Sequence, residues 1–242
     1  MLKRIAIVAG GSGLVGMQLL HQLFQHKEYD AVIAIGRRHL ALKHPKLAQI
    51  EVDFAKLDRC DLVEGLRIDD FGGENQQIIE ALENQSCEIH AFCSLGTTIK
   101  KAGSKDAFFK IDHDFVINFA KWTYKIGARK FLYVSAIGAD QQSSFFYNKV
   151  KGQVEEDLKL IKFDYLGIFQ PSILLGQRKE VRVGEDVGKV IMKAFTTVGL
   201  FRKYKPIQDS QVARAMIHHA LKQPKLVVEY ISSKAMQALQ KD

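Results

Sequence analysis

The chain has 242 residues, 47% of them hydrophobic and 26% charged, with a formal net charge of +8. That hydrophobic fraction supports a large buried core and excludes the low-hydropathy composition of a disordered chain. The positive charges are spread along the sequence rather than gathered in a block, which argues against nucleic acid as a partner and for steering of an anionic cofactor or substrate. Three cysteines, Cys60, Cys87 and Cys93, are odd in number and lack C-x-x-C spacing, so neither a disulfide framework nor a metal site is expected. The apolar run that ends at Gly10 is too short for a signal-peptide core, and no stretch approaches the roughly 20 apolar residues that span a bilayer. A cytoplasmic protein without stable membrane insertion is the expectation.

In chain order, apolar runs of strand length alternate with amphipathic stretches of helix length. Strands are predicted over residues 3–9, 31–35, 49–53, 88–93, 130–135 and 163–169, and helices over 13–26, 106–127 and 144–161. The segment from Asp58 to Asn84, interrupted by Gly65, Asp69, Asp70, Gly72 and Gly73, reads as an extended loop before a short helix over 76–83. Beyond Pro171 the alternation breaks down, with helices near 186–198 and 209–222 and a strand near 225–231. The pattern predicts an α/β fold, a doubly wound parallel sheet of the Rossmann type, as a single domain over 1–242. Residues 172–242 are expected to cover the carboxyl ends of the strands on the substrate side.

Directly after the first strand stand Gly10, Gly11, Ser12, Gly13, Leu14, Val15 and Gly16, opening a helix with the apolar face Leu19, Leu20, Leu23 and Phe24. Glycines there permit a tight turn and close approach of backbone to a pyrophosphate, while the helix N-terminus supplies N–H donors. The second strand ends in Ile35-Gly36-Arg37-Arg38, where an NAD-specific fold carries an acid for the ribose 2′-hydroxyl. Two guanidiniums suit a 2′-phosphate instead, so NADP(H) is expected ahead of NAD(H). Asp53, closing the third strand, is a candidate acceptor for the adenine amino group or simply a turn residue.

Tyr147 and Lys151 are four apart in a predicted helix and therefore share a face. An ammonium beside a phenol favours the phenolate, which a group with an unperturbed pKa of about 10 needs for proton exchange near neutrality. Ser135 ends the fifth strand on the edge that holds the glycine loop, in position to bind a substrate oxygen. This order of residues resembles the short-chain dehydrogenase/reductase superfamily in its atypical and extended branches. More narrowly, Gly36-Arg37-Arg38, Val52-Asp53-Phe54, Leu95-Gly96-Thr97-Thr98, Lys101-Ala102-Gly103, Gly138-Ala139-Asp140, Val150-Lys151-Gly152, Pro171-Ser172 and Leu174-Leu175 look like the Tat-interacting-protein type of atypical oxidoreductase. The resemblance implies Ser135 positioning a carbonyl, Tyr147 as acid or base, and Lys151 on the nicotinamide ribose. It also implies cofactor contacts at Phe54, Leu95, Gly96, Thr97, Pro171 and Ser172, with Cys93 nearby. Asp112 departs from it, standing where many relatives carry a proton-relaying asparagine; whether Asn118 compensates is left open.

Three functions fit this pattern. The first is an NADP(H)-dependent oxidoreductase exchanging hydride with a carbonyl or alcohol of a small molecule. The second is a nucleotide-sugar epimerase-like enzyme, for which the chain beyond Pro171 is short. The third is a regulatory protein that senses the dinucleotide and presents a surface to a protein partner, a role that the intact Tyr147 and Lys151 argue against. A basic amphipathic stretch such as Val187 to Phe201 can lie on a membrane surface but more often packs on its own domain or lines the pocket, and a pocket so lined would suit a partly apolar substrate.

Overall fold

A computed structural model describes residues 4–68, 75–175 and 205–239. Seven strands form its main sheet: β1 (Arg4–Ala9), β2 (Ala31–Gly36), β3 (Leu47–Glu51), β4 (Glu88–Cys93), β5 (Lys130–Val134), β6 (Tyr165–Gln170) and β9 (Val228–Ser232). They lie in the order β3-β2-β1-β4-β5-β6-β9, and every neighbouring pair is parallel. The apolar runs are continuous rather than alternating because helices cover both faces. β1 shows the effect: Ile5 to Ala9 are all fully buried. A two-stranded parallel pair, β7 (Leu174–Leu175) with β8 (Ile207–Gln208), lies outside this sheet.

On one face pack α1 (Leu14–Gln25), α8 (Asp209–Leu221) and α9 (Ser233–Ala238), whose buried residues include Leu19, Leu23, Val212, Met216 and Met236. The other face is covered by α2 (Leu62–Ile68), α3 (Asn75–Glu83), α6 (Phe115–Lys125) and α7 (Phe146–Lys159), with Leu66, Ile79, Phe119 and Leu158 in its core. The chain reverses direction across the sheet between β1 and β4, and the crevice at their carboxyl ends is where such sheets bind ligands.

Several expectations are revised. The third strand runs two residues earlier than predicted, because Asp53 caps the 3₁₀ turn Phe54–Arg59 by accepting from Ala55 N at 2.9 Å and so ends the extended segment. The stretch predicted as a loop contains α2, started by Asp61 accepting from Val63 N and Glu64 N; Gly65, taken as a breaker, instead lets that helix approach Ile50. The single helix predicted over 106–127 is α5 (Lys105–Phe109), a π-helical turn (Lys110–Asp114) and α6 in succession. Residues 207–239 do more than cover strand ends: β9 extends the sheet and α8 packs beside α1, where Gln22 Nε2 donates to Ser210 O at 3.0 Å. The helix predicted near 186–198 falls outside the described residues. The short helix α4 (Ile99–Ala102) was not foreseen.

Candidate active site

The phosphate loop is built by close approach. Gly10 has φ of +87°, and a Cβ on Gly16 would lie 2.1 Å from Gly10 O, so a side chain fits at neither position. Gly13 N donates to Gly10 O at 2.9 Å, and Ser94, just past β4, donates its hydroxyl to Ala9 O at 3.1 Å. Helix α1 begins with no side-chain cap and no acid in its first turn, which leaves its N–H groups and its positive dipole end for an anion. Leu14 and Val15 are buried in that first turn, while Ser12 is exposed.

From this loop a cleft of about 570 Å³ extends over the sheet edge, lined among others by Gly10, Ser12, Gly13, Arg37, Arg38, Phe54, Leu95, Gly96 and Thr97. That volume lies within the usual range for cofactor sites. Phe54 stacks on Phe115 with centroids 5.7 Å apart, making an aromatic wall. Arg37 and Arg38 are exposed, and neither has an ion-pair partner among the described residues. Asp53 is engaged as the turn cap and does not line the cleft. Asn118 does not stand in for the missing asparagine; its Nδ2 donates to Phe54 O at 3.0 Å and so steadies that wall.

Beside the cleft lies a buried ion pair. Lys151 Nζ is 3.0 Å from Asp112 Oδ1 and donates to Tyr133 Oη at 3.1 Å, with lysine and aspartate side chains 4% and 1% exposed. The π-helical turn, marked by Phe115 N donating to Lys110 O, carries Asp112 into the interior. The other carboxylate oxygen accepts from Thr97 N at 2.7 Å, and a Cβ on Gly96 would lie 3.7 Å from Lys151 Nζ. Burial by itself lowers an ammonium pKa, but Asp112, aided by Tyr133 and Tyr147, outweighs it and holds Lys151 well above the ordinary lysine value. Lys151 is therefore a fixed positive charge. Tyr147 is half-buried one turn earlier in α7, its ring 5.9 Å from that of Phe108. Burial pushes the nearby Cys93 thiol up to about 12, so it stays neutral.

Ser135 is placed differently from the expectation. It is buried, and its hydroxyl donates to Glu155, which also accepts from Gln170 Nε2 at 3.0 Å. Burial raises the Glu155 pKa, with the bonds from Ser135 and Gln170 offsetting part of the effect. Ser135 thus anchors β5 to α7. Ser172 is likewise structural in its contacts: its Oγ donates to Lys205 O at 2.5 Å and lies 2.9 Å from Ser233 Oγ, while Pro171 O accepts from Ile137 N. Neither Pro171 nor Ser172 lines the cleft. Tyr133, Glu155 and Ser94 were missed from sequence. The first two had a signal, since Tyr133 shares a strand face with Ser135 and Glu155 follows Lys151 by one helical turn.

Sheet order, phosphate loop and the Tyr147-Lys151 helix together define an NAD(P)-binding protein of the short-chain dehydrogenase/reductase type. The chain belongs to the NAD dependent epimerase/dehydratase family, whose sequence model matches residues 6–234. It is 31% identical over 245 residues to Protein HTATIP2 of Rattus norvegicus, covering 100% of this chain and 91% of that one. It is 34% identical over 218 residues to Protein FMP52, mitochondrial, of Meyerozyma guilliermondii, covering 89% and 85%. Among solved structures, MoeE5 in complex with UDP-glucose and NAD matches with a TM-score of 0.61 at 14% identity, covering 94% of this chain and 75% of that one. A short chain dehydrogenase family protein from Francisella tularensis matches with 0.58 at 15% identity, covering 97% and 99%. At these identities the structural likeness concerns the fold alone.

The cytoplasmic expectation is corrected by the yeast relatives, which are named mitochondrial. A missing signal-peptide core bears only on secretion, so it gave no ground for excluding an organelle. Among the described residues no helix is long and apolar enough to cross a membrane.

Proposed function

We propose that the chain is an NADP(H)-dependent oxidoreductase that interconverts a carbonyl and an alcohol, with Tyr147 as the acid-base group. The observation that carries this reading is the continuity of cleft and lysine: Leu95 to Thr97 line the cleft, and Thr97 N holds the Asp112 carboxylate that pairs with Lys151. The residues present fit a dinucleotide phosphate. The uncapped N-terminus of α1 suits the pyrophosphate, Phe54 offers the adenine an apolar wall, and two exposed guanidiniums suit a 2′-phosphate. Held by these residues, a nicotinamide dinucleotide would supply hydride chemistry at the site. Tyr147 gives or takes the proton at its phenolic oxygen, and the fixed charge of Lys151 one turn away favours the phenolate. Ser135, with its hydroxyl donated to Glu155, is assigned no part in the proton transfer.

Titration with NADPH and NADH, followed by fluorescence, tests the cofactor half. NADPH is expected to bind more tightly, and Arg37→Ala to weaken it about tenfold, as loss of one charge-assisted hydrogen bond does, with NADH little changed. Binding of neither cofactor would sink the enzyme reading. The family match favours a second reading, a nucleotide-sugar epimerase or dehydratase, in which the same tyrosine and lysine act and the cofactor is regenerated. Stoichiometric consumption of NADPH with a carbonyl panel separates the two, since an epimerase consumes none.

A further inference from the structure

Residues 37–46, between β2 and β3, form neither helix nor strand, yet they carry Arg37 and Arg38. One side chain beneath fixes their course. Gln49, in β3, is 2% exposed. Its Oε1 accepts from Leu40 N at 2.8 Å, and its Nε2 donates to Leu40 O and to Leu42 O, each at 3.2 Å. A carboxamide, with donors on one side and an acceptor on the other, satisfies all three backbone groups at once. Leu40 then reaches the phosphate loop, where a Cβ on Gly11 would lie 3.1 Å from Leu40 Cδ1. Gln49, Leu40, Arg37, Arg38 and the phosphate loop all line the same cleft.

We infer that Gln49 is a positioning residue for cofactor choice: it holds the Arg37-Arg38 loop in the shape that presents both guanidiniums to a 2′-phosphate. The inference rests on the NADP(H) reading above. A loop without regular structure has conformational entropy to lose when its side chains grip a ligand, about 1–2 kcal/mol per residue ordered. A clamp made in advance removes that loss from binding. Gln49 holds the part of the site that reads the 2′-position, whereas the pyrophosphate faces the N-terminus of α1, so the clamp should act on NADPH and leave NADH alone.

Gln49→Met keeps the length and apolar volume of the side chain and removes the amide. It is expected to weaken NADPH about tenfold, equivalent to ordering one loop residue at about 1.4 kcal/mol, and to leave NADH within about twofold. Gln49→Glu keeps an acceptor for Leu40 N but removes both donors, and is expected to lose NADPH preference as well. A role confined to folding would weaken both cofactors together and would overturn the inference. Should neither variant fold, amide exchange in the wild-type protein decides: the Leu40 amide must exchange more slowly than that of Arg38, and equal rates refute the clamp. If the wild-type protein binds NADPH no more tightly than NADH, the NADP(H) reading fails and this inference with it. If Arg37→Ala abolishes the preference while folded Gln49→Met retains it, the inference about Gln49 alone is wrong.

Discussion

Two clusters of charge occupy opposite ends of β4 and β5. At the amino ends, Glu88 meets Arg4 at 2.8 Å, His90 at 2.8 Å and Lys130 at 3.3 Å, and His90 lies 2.7 Å from the buried Tyr29 hydroxyl. At the carboxyl ends, Lys151 meets Asp112 and Tyr133 beside the cleft. The first cluster joins three strands through a carboxylate that is 40% exposed. The second is almost wholly buried, in a setting where an unshielded charge is costly. Clustered charge alone therefore does not mark a site; what distinguishes the Lys151 cluster is a cleft next to it and Tyr147, the proposed acid-base group, one helical turn away.

Removing the lysine should separate the two clusters most sharply. Lys151→Met is expected to lower turnover about 1,000-fold, within the range of general acid-base effects, and to destabilise the fold by about 3–5 kcal/mol because Asp112 is left buried without its cation. Pairing it with Asp112→Asn should restore much of the stability, measured by urea unfolding, and none of the turnover. A double variant as unstable as the single one would show that the ion pair is not the source of the loss.

A comparison within the site comes next in size. Tyr147→Phe should lower turnover about 100-fold or more with stability changed by less than about 0.5 kcal/mol. Ser135→Ala should do the reverse, costing about 1–3 kcal/mol of stability by leaving the buried Glu155 carboxylate with the bonds from Gln170 but without that from Ser135, and sparing most of the turnover. Equal losses of turnover in the two variants would return Ser135 to the catalytic group.

The smallest effect belongs to the amino-end cluster. The hydrogen bond from His90, with Arg4 and Lys130, outweighs burial and holds Glu88 well below the ordinary glutamate value. A depressed carboxylate pKa gives stability that is full above the unfolded value of 4.5 and is lost as pH falls below it toward the folded value. Solvent screening limits this to about 1 kcal/mol or less. Glu88→Gln should therefore flatten the fall in stability below about pH 4.5 while leaving NADPH binding unchanged. A loss of cofactor affinity in that variant would mean that the two clusters are coupled through β4.

The contrast also explains what could be read from the sequence. The glycine loop, the paired arginines and the Tyr147-Lys151 spacing are local patterns, and the sheet follows from runs of apolar residues a few positions long. Asp112 with Lys151, Ser135 with Glu155 and Gln49 with Leu40 depend on which elements the fold brings together, and no local rule reports that. Gly65 shows the opposite failure: a residue that breaks helices in isolation here sits inside one, because α2 must pass close to Ile50. Ser135 and Ser172 matched a family position, but their hydroxyls have found partners inside the protein.

β9 also dictates the order in which the sheet closes. It pairs in parallel with β6, from Leu166 opposite Val228 to Gln170 opposite Ser232, and its Glu229 accepts from Tyr165 Oη at 2.7 Å. Partners so distant along the chain gain nothing from each other until the intervening segment has been made and its ends brought together. A nascent chain leaving the ribosome therefore carries β6 with an unpaired edge until Ser232 has emerged. During that interval the strand next to β5 is a template for other chains, and the length of the interval is set by the speed of translation rather than by the stability of the finished protein.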